Sequence, residues 1–452
     1  MSLGSIFDIS TRSLGVYQSA LEVASNNIAN SANPDYSRQQ VNLTTETPNV
    51  AGGFVWGAGI KIEDITRVRD SFTDNQIRSN NPKNSESSNR SELMGQIEDS
   101  FSEPSDSGIS TLMNNFFNSW QQLAVTPNST ALRQNVLSSA ESLSNQVSSV
   151  YSSLTQTRSD IMTDLKTKVG TLNDDLKQVQ QLNAQIFQFT SAGQSPNDLL
   201  DQRDKVIDDL SKMGNITVSY DNNNSATISI GGVFACDKEN ANQFSVSDNN
   251  GQATIVSKNN VSAVLNSGDL FADTDIYSNE IPNDLATLDQ VFSTFTSQVN
   301  AVHQSGTNIE NPSGTNINFF DSYNNGVLKI NPAIVADTNK IAVSSDGTSG
   351  NGDIAAKIAD LSSQPLINGQ TLQDTYSSLV SQIGTKKQSA DQSVTATSLI
   401  QQQLATQKSS YSGVSVDEEM SNILMYQRSY EASAKLVQVA NECLQTLLTT
   451  VT

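Results

Sequence analysis

The sequence is poor in the residues that build catalytic and metal sites. Its 452 residues include two cysteines and one histidine. Cys236 and Cys443 stand far apart, without a CxxC pair or a histidine cluster, so neither a disulfide framework nor a zinc site is indicated. No pattern supplies a nucleophile, a metal-ligand set or a phosphate-binding loop. We therefore expect no enzymatic activity, no catalytic residues, no cofactor and no bound metal.

Basic residues and long apolar runs are scarce as well. Lysine and arginine total 26 against 47 aspartates and glutamates, and the formal net charge is -21. Such a chain repels nucleic acid phosphates and anionic lipid headgroups, so we expect no nucleic acid partner and no membrane-surface role. No apolar run reaches the roughly 18 residues of a membrane span, and the N-terminus lacks the regions of a cleavable signal peptide. We expect neither membrane insertion nor signal cleavage.

Two heptad stripes of apolar residues lie at the ends of the chain. The N-terminal stripe comprises Phe7, Leu14, Tyr17, Leu21, Ala24 and Ile28. The C-terminal stripe comprises Met420, Ile423, Tyr430, Ala434, Val437, Leu444, Leu448 and Val451, interrupted by the polar Gln427 and Asn441. Because such a stripe needs a partner helix to bury it, we predict that the two stripes face each other. The middle of the chain is then inserted between its paired ends.

Helical periodicity dominates the middle of the chain. It runs from Thr66 to Gly193, with a long rod-like helix after Pro127, and a shorter helix follows from Asn197 to about Met213. From 215 to 280, apolar and polar residues alternate around turn-like segments, which predicts two β-hairpins in a small β domain. Helical periodicity resumes at Pro282.

The last part of the chain is predicted to be one long helix. No proline follows Pro365, so a helix could run to Thr452, with Gly384 and Gly413 as plausible breaks. The predicted fold is mainly α with an inserted β domain. Residues 1–50 and 413–452 form a terminal coiled-coil domain as an inner layer. Residues 51–214 and 281–412 form a mainly helical middle domain with some irregular or β segments, and 215–280 form the small outer β domain.

Short motifs occur near the boundaries of these segments. The first is Ser25-Asn26-Asn27-Ile28-Ala29-Asn30, followed by Pro34 and by Tyr36-Ser37-Arg38-Gln39. The second is Leu199-Leu200-Asp201-Gln202-Arg203-Asp204, and the third is Gly413-Val414-Ser415-Val416-Asp417-Glu418-Glu419-Met420. Together with the terminal stripes they resemble the axial proteins of the bacterial flagellum. The Tyr-Ser-Arg-Gln form is similar to that of the members that join hook and filament.

The resemblance implies a structural subunit that templates and connects hook and filament, located in the flagellum outside the cell. It also implies type III export without a cleavable signal peptide. The implied partners are other copies of the chain in a ring or helical layer, the hook protein, a second junction protein (hook-associated protein 3) and a cytoplasmic export chaperone. The chain departs from the family at Asn33-Pro34-Asp35-Tyr36, where Thr-Pro-Gly-Tyr is usual, and it is short for the family.

The resemblance and the stripes together predict an assembly interface. Its expected members are Leu14, Tyr17, Leu21, Ala24, Asn26, Asn27, Ile28, Asn30, Tyr36, Arg38, Met420, Ile423, Tyr430, Val437, Leu444 and Leu448. The apolar residues of this set from Met420 to Leu448 are also the hypothetical chaperone site, because an unpaired apolar helix face promotes association. The three asparagines could instead be solvated residues at a helix end.

The single histidine and an acidic cluster are interpreted as structural features rather than functional sites. His303 is interpreted as a packing or loop-anchoring residue rather than an acid–base catalyst. The acidic residues between Asp198 and Asp209 are interpreted as a solvated helical face rather than a cation site, since Arg203 and Lys205 stand among them. Two alternative functions remain open at this point. The chain could be another flagellar axial subunit, or a secreted coiled-coil adhesin whose β domain contacts a ligand.

Overall fold

The computed structural model describes residues 3–51, 53–308 and 316–451. Its α-helices are α1 (Leu3–Ala29), α2 (Ser71–Phe101), α3 (Ile109–Val125), α4 (Thr130–Ser191), α5 (Asn197–Met213), α6 (Asp269–Asp275), α7 (Ile281–Gln304), α8 (Pro332–Ala336), α9 (Asp353–Asp360), α10 (Leu372–Ser412) and α11 (Val416–Val451). Its strands are β1 (Gln39–Thr45), β2 (Asn49–Ala51), β3 (Phe54–Trp56), β4 (Ile60–Arg67), β5 (Ile216–Tyr220), β6 (Ala226–Ile230), β7 (Val233–Cys236), β8 (Phe244–Asn249), β9 (Gln252–Ser257), β10 (Phe320–Asn324) and β11 (Val327–Ile330). The mainly helical fold with an inserted strand region is as predicted.

The predicted rod-like helix is confirmed as α4, which has 62 residues and a length of roughly 93 Å. Ser129 begins it, because its side-chain oxygen accepts the backbone N–H of Leu132. The apolar positions between Ile161 and Ile186 recur every three or four residues and are buried. This stripe lets α4 pack against α3, α5 and the strand region along its length. In the part of the chain that the structure describes, no helix is long and apolar enough to cross a membrane.

The C-terminal segment contains two helices, and only one of the two suggested breaks is present. The chain leaves α10 at Gly413, where an added Cβ would lie 2.3 Å from the Ser409 carbonyl oxygen. The suggested break at Gly384 is wrong. Helix α10 continues through this residue because it packs on α2, with Leu379 and Ile383 buried beside the glycine. That packing outweighs a helix-propensity cost of about 1 kcal/mol.

The strand region between α5 and α7 contains two small antiparallel sheets. One has the order β5-β6-β7 and the other pairs β8 with β9, so both predicted hairpins are confirmed. The prediction that helical structure resumes only at Pro282 is wrong, since α6 begins at Asp269. Ile228, Phe244 and Ile255 are buried in the same core as the helices. The strand region therefore packs directly on the helical body and shares its core.

Asparagine side chains on helices hold the starts of three strands. Each amide nitrogen donates to a backbone carbonyl and each amide oxygen accepts the N–H of the same residue, at 2.8–2.9 Å. The pairs are Asn183 with Ala226, Asn173 with Phe244, and Asn300 with Phe320. A pair of this kind satisfies two backbone groups that no neighbouring strand reaches. These contacts fix the strands of this body against α4 and α7.

His303, at the end of α7, anchors a loop inside an aromatic core. Its Nε2 accepts the N–H of Ala342 at 2.9 Å, so its Nδ1 carries the proton and donates to the Ile317 carbonyl at 2.8 Å. The ring lies edge-on to Trp120 and Phe319. Burial, together with the charge of Arg133, lowers the pKa of His303 from 6.5 to about 4. The geometry supports the loop-anchoring interpretation.

We expect His303 to make the unfolding free energy depend on pH. Between about pH 6.5 and 4 the unfolded chain binds a proton that the folded chain excludes, so stability falls as the pH falls through this window. The loss amounts to about 3 kcal/mol. A His303→Gln variant lacks the titrating ring, so the stability difference between the wild-type protein and the variant should shrink from pH 7 to pH 4.5 in urea titrations. A difference that stays constant over this range would contradict the assignment.

Candidate assembly site

The two ends of the chain pair with each other, since α1 packs along α11. Arg38, which follows α1, donates its backbone N–H to the Ser412 carbonyl at 3.0 Å. Its guanidinium lies 2.9 Å from a Glu418 carboxylate oxygen. The end of α1 therefore lies beside the start of α11, and the two helices run antiparallel. This pairing confirms the predicted fold of the terminal helices.

The seam between the two helices contains both small and larger side chains. On α11 the covered positions recur every seven residues and are Glu419, Tyr426, Ser433 and Ala440, of which Tyr426 is half-buried and the others are buried. On α1 the buried apolar residues are Val16, Ala20 and Ala24. Ala20 and Ala24 line one cleft together with Glu419 and Tyr426. The seam therefore combines the small side chains of Ala20, Ala24, Ser433 and Ala440 with the larger ones of Glu419 and Tyr426.

The predicted C-terminal stripe does not face α1 as a whole. Ile423 and Val437 are half-buried at the edge of the seam, whereas Met420, Tyr430, Leu444 and Leu448 are exposed. The prediction that the two stripes bury each other is wrong for these exposed positions. The seven-residue line that faces α1 begins at Glu419, one position before Met420. On α1, Leu14, Tyr17, Leu21 and Ile28 are half-buried and Ala24 is buried.

The asparagine motif after α1 is bound within the chain. Asn27 is buried, and its amide exchanges two hydrogen bonds with the backbone of Gln39 at 2.8 and 2.9 Å. Its oxygen also accepts the Tyr36 hydroxyl at 2.8 Å. Asn30 donates to the backbone and side-chain oxygens of Asn26. The structure thus gives Asn27 an intramolecular role, in which it holds the start of β1 against α1, while Asn26 remains exposed.

A buried network of charges joins this terminal unit to the helical body. Asp201 on α5 accepts the backbone N–H and the hydroxyl of Ser37, at 2.9 and 2.7 Å. Arg67, at the end of β4, lies 2.7 Å from Asp201 and 3.0 Å from Asp204. Arg69 lies 2.6 Å from Asp204. The loop after α1, the strand β4 and the helix α5 are therefore held at one point.

Asp204 is the centre of this network. Burial alone raises the pKa of its carboxyl group, but the charges of Arg203, Arg69, Arg67 and Arg78 outweigh that effect and lower the pKa from 3.8 to about 2. The Arg203 guanidinium also lies over the Tyr220 ring at 4.9 Å, which connects the network to β5. A buried carboxylate with several arginine partners keeps its charge because opposite charges replace the lost water.

The solvated-face interpretation of the acidic residues on α5 is wrong for the inner members of the set. Asp201 and Asp204 are buried, and Asp208 forms a 2.7 Å ion pair with Arg78 on α2. The spacing of 201, 204 and 208 places these carboxylates on one helix face. That spacing, together with Arg67 and Arg69 at and just after the end of β4, was the sequence signal for a buried ion-pair network. Within the described ranges, no group of three or more histidine, cysteine or acidic side chains is arranged to hold a metal ion.

A family model described as the flagellar hook-associated protein FlgK helical domain matches residues 94–320, just over half of the chain. The chain belongs to the flagellar hook-associated protein FlgK family. A second model, the C-terminal region of the flagellar basal body rod FlgEFG proteins, matches residues 406–450, which include nearly all of α11.

Curated relatives of this FlgK family member extend over nearly the whole chain. Flagellar hook-associated protein 1 of Bacillus subtilis (strain 168) is 28% identical over 498 aligned residues, covering 97% of this chain and 96% of that one. The proteins of the same name from Salmonella typhimurium and Escherichia coli K12 are 25% and 24% identical, each covering 99% of this chain and 100% of the relative. The predicted function, a structural subunit of the hook–filament junction, is confirmed by this family membership.

A solved structure shares the fold. The flagellar hook junction protein FlgK from Burkholderia pseudomallei superposes with a TM-score of 0.65 at 17% identity, covering 75% of this chain and 100% of that chain. At this identity the likeness supports the architecture alone.

We predict that Asp204→Asn destabilises the folded chain by about 3–5 kcal/mol, because it leaves buried arginines without their shared counter-charge. The measurement is the unfolding free energy of the full chain in urea. Asp209→Asn is the matched control, since Asp209 lies on the same helix but pairs at the surface with Lys212. We expect the control to change stability by less than about 1 kcal/mol. Equal effects of the two substitutions would refute a special role for Asp204.

Proposed function

We propose that the paired terminal helices of this chain form the inner layer of a tubular junction, in which α11 is surrounded by neighbouring subunits. The observation that carries this proposal is the distribution of apolar residues on α11. Its exposed large apolar side chains include Met420, Leu424, Met425, Tyr430, Leu436, Val439, Leu444 and Leu447. At 100° per residue these positions occupy nearly the whole circumference of the helix.

A helix that exposes large apolar side chains on several sides normally packs against more than one neighbour. In the single chain, α1 covers only the face of α11 that contains Glu419, Ser433 and Ala440. Leu436 and Val439 remain about half exposed in the folded chain, at 51% and 48%. An apolar surface of this extent is expected to be covered by other protein. Copies of the same chain supply suitable apolar helices, and self-assembly is typical of this family.

The predicted interface residues fit this proposal in different ways. Met420, Tyr430, Leu444 and Leu448 are exposed and accessible to neighbouring subunits. Leu14, Tyr17, Leu21 and Ile28 are half-buried at the edges of the seam and contribute their outer surfaces. Asn27, Tyr36 and Arg38 act indirectly, because they position the start of β1 and the start of α11.

This arrangement assigns a role to each part of the chain. Residues 1–50 and 413–452 form the assembling unit, and 51–214 with 281–412 form the helical body outside it. Residues 215–280 form the outermost part, although their strands share the core of the body. The buried Asp201 and Asp204 pairs transmit force between the assembling unit and the body. The role is mechanical rather than catalytic.

The specific partners in the flagellum are the hook protein on one side and a second junction protein, hook-associated protein 3, on the other. Export occurs by the flagellar type III route, without a cleavable signal peptide. The paired helices then form at the distal end, because isolated helices of this kind are only marginally stable in water. The exposed apolar faces of α11 make a cytoplasmic export chaperone necessary before that step.

We expect the chaperone to bind the α11 segment. A tagged full-length chain should retain the export chaperone from a lysate of its own bacterium, whereas a chain truncated after Gly413 should not retain it. The truncated chain keeps the helical body, so its solubility and circular dichroism serve as controls. Retention of the chaperone by a soluble truncated chain would contradict this site.

The junction role is tested in the native bacterium by deleting the gene. Hooks with and without filaments are counted by electron microscopy, and flagellin is assayed in the medium. Bare hooks with flagellin in the medium are the expected result. Absent hooks would indicate an earlier rod or hook subunit, and normal filaments would contradict a flagellar role.

The deletion strain then serves to test the surface of α11. We predict that Leu436→Ser combined with Val439→Ser lowers the fraction of hooks carrying filaments by more than about tenfold, because apolar contacts at an interface centre dominate its stability. The matched control is Val261→Ser with Val264→Ser, which changes two exposed valines in the strand region. Both purified variants should keep the wild-type unfolding free energy to within about 0.5 kcal/mol. Normal filaments in the α11 variant would count against the proposal.

A further inference from the structure

We propose that a π turn at Ile276–Glu280 is a latch that holds the turn end of the β8–β9 hairpin on the helical body. The π turn lies between α6 and α7, and the three segments form one continuous helix. Such turns are rare and interrupt the regular hydrogen bonding of an α-helix. The latch acts on the strand region and is independent of how the terminal helices assemble.

The π turn and Pro282 free two backbone carbonyl groups of this helix. The N–H of Ile281 bonds to the Ile276 carbonyl, so the Tyr277 carbonyl lacks the donor that a regular α-helix supplies. Pro282 has no N–H to donate to the Ser278 carbonyl in the preceding turn. Both carbonyl groups are therefore available to donors from outside the helix.

Side chains of α4 and β9 supply these donors. Arg158 on α4 donates its Nε–H to the Tyr277 carbonyl at 3.0 Å. Gln252 on β9 donates its side-chain amide to the Ser278 carbonyl at 3.0 Å, and the Ser278 hydroxyl accepts the backbone N–H of Ala253 at 2.9 Å. Ser278 is 6% exposed, and hydrogen bonds are stronger where water is excluded. The start of β9 is thus bound to the helix through a side chain and through its backbone.

Arg158 and Tyr277 extend the latch to the turn between β8 and β9. Arg158 also donates from Nη2 to the Gly251 carbonyl at 2.8 Å, and its guanidinium lies 4.4 Å from the centroid of the Tyr277 ring. The Tyr277 hydroxyl donates to Asp248 at 2.8 Å. Asp248 in turn accepts the backbone N–H of Gly251 at 2.9 Å. Both sides of the hairpin turn are therefore held on the same turn of the helix.

Two further attachments of the strand region lie away from this end of the hairpin. The chain enters and leaves the helical body at one narrow point, where an added Cβ on Gly268 would lie 2.5 Å from the Gly214 Cα atom. The side chain of Asn173 holds Phe244, at the opposite end of the hairpin. A two-stranded hairpin is only marginally stable by itself in water. The latch therefore keeps the turn end of the hairpin closed on the helical body.

The experiment is hydrogen exchange of the purified full-length chain, measured by mass spectrometry. Arg158→Met removes the donors to Tyr277 and Gly251, so we expect the amides of residues 244–257 to exchange roughly fivefold faster, the effect of losing a buried hydrogen bond. Residues 216–236, which contain β5 to β7, should exchange as in the wild-type protein. The matched control is Lys166→Met, which removes the same charge from an exposed position on α4 and should change neither segment.

Pro282→Ala tests whether the freed carbonyl forms the latch. In an ordinary helix this change makes the backbone more stable, because alanine restores the N–H and has the higher helix propensity. Here the restored N–H competes with Gln252 for the Ser278 carbonyl, so residues 244–257 should exchange roughly fivefold faster while residues 281–304 exchange no faster. Gln252→Ala should have a similar effect. Combining the two substitutions should add nothing further, because both remove the same bond.

Three outcomes would overturn the latch. The first is unchanged exchange over residues 244–257 in Arg158→Met or in Gln252→Ala, with the circular dichroism of the wild-type protein. The second is unchanged or slower exchange of this segment in Pro282→Ala. The third is an equal rise over residues 216–236, which would indicate general loss of stability instead of local opening of one hairpin.

Discussion

The structure depends on the buried carboxylates of α5 and the arginines around them. Asp201 and Asp204 receive Ser37, Arg67 and Arg69 from the segment that connects α1 to α2. Charges of this kind are costly to bury, so the network is stable only when every partner is in place. That requirement links the position of the terminal helices to the packing of the helical body. Ion pairs and hydrogen bonds also have preferred directions, so the network fixes how the segment after α1 lies on α5.

Side-chain amides perform a related task wherever a strand meets a helix. Asn27, Asn173, Asn183 and Asn300 each exchange two hydrogen bonds with the backbone of one strand residue. The sheets of this protein have two or three strands, so many backbone groups lack a neighbouring strand. A helix-borne amide satisfies a donor and an acceptor at once without burying net charge. The high asparagine content thus has a structural use beyond solvated loops.

The terminal helices show how one sequence can encode two kinds of contact. The seam between α1 and α11 includes small residues such as Ala20 and Ser433, whereas many large apolar side chains of α11 remain exposed. Pairing within the chain therefore leaves large apolar side chains of α11 exposed, among them Leu424, Leu436 and Leu447.

Sequence periodicity alone determined much of the secondary structure of this protein and the pairing of its ends. The apolar stripe of α4, the alternation of β5 to β9, the break at Gly413 and the pairing of the chain ends are all local or heptad patterns, which follow from helix and strand geometry. Tertiary structure decided which face of α11 is covered, because the heptad pattern marks an apolar line but not the line that contacts α1. It also decided which acidic residues on α5 are buried in ion pairs. Whether Asp204 is solvated or paired depends on Arg67, Arg69 and Arg78, which lie more than a hundred positions away, as well as on the adjacent Arg203. No local pattern shows those distant contacts.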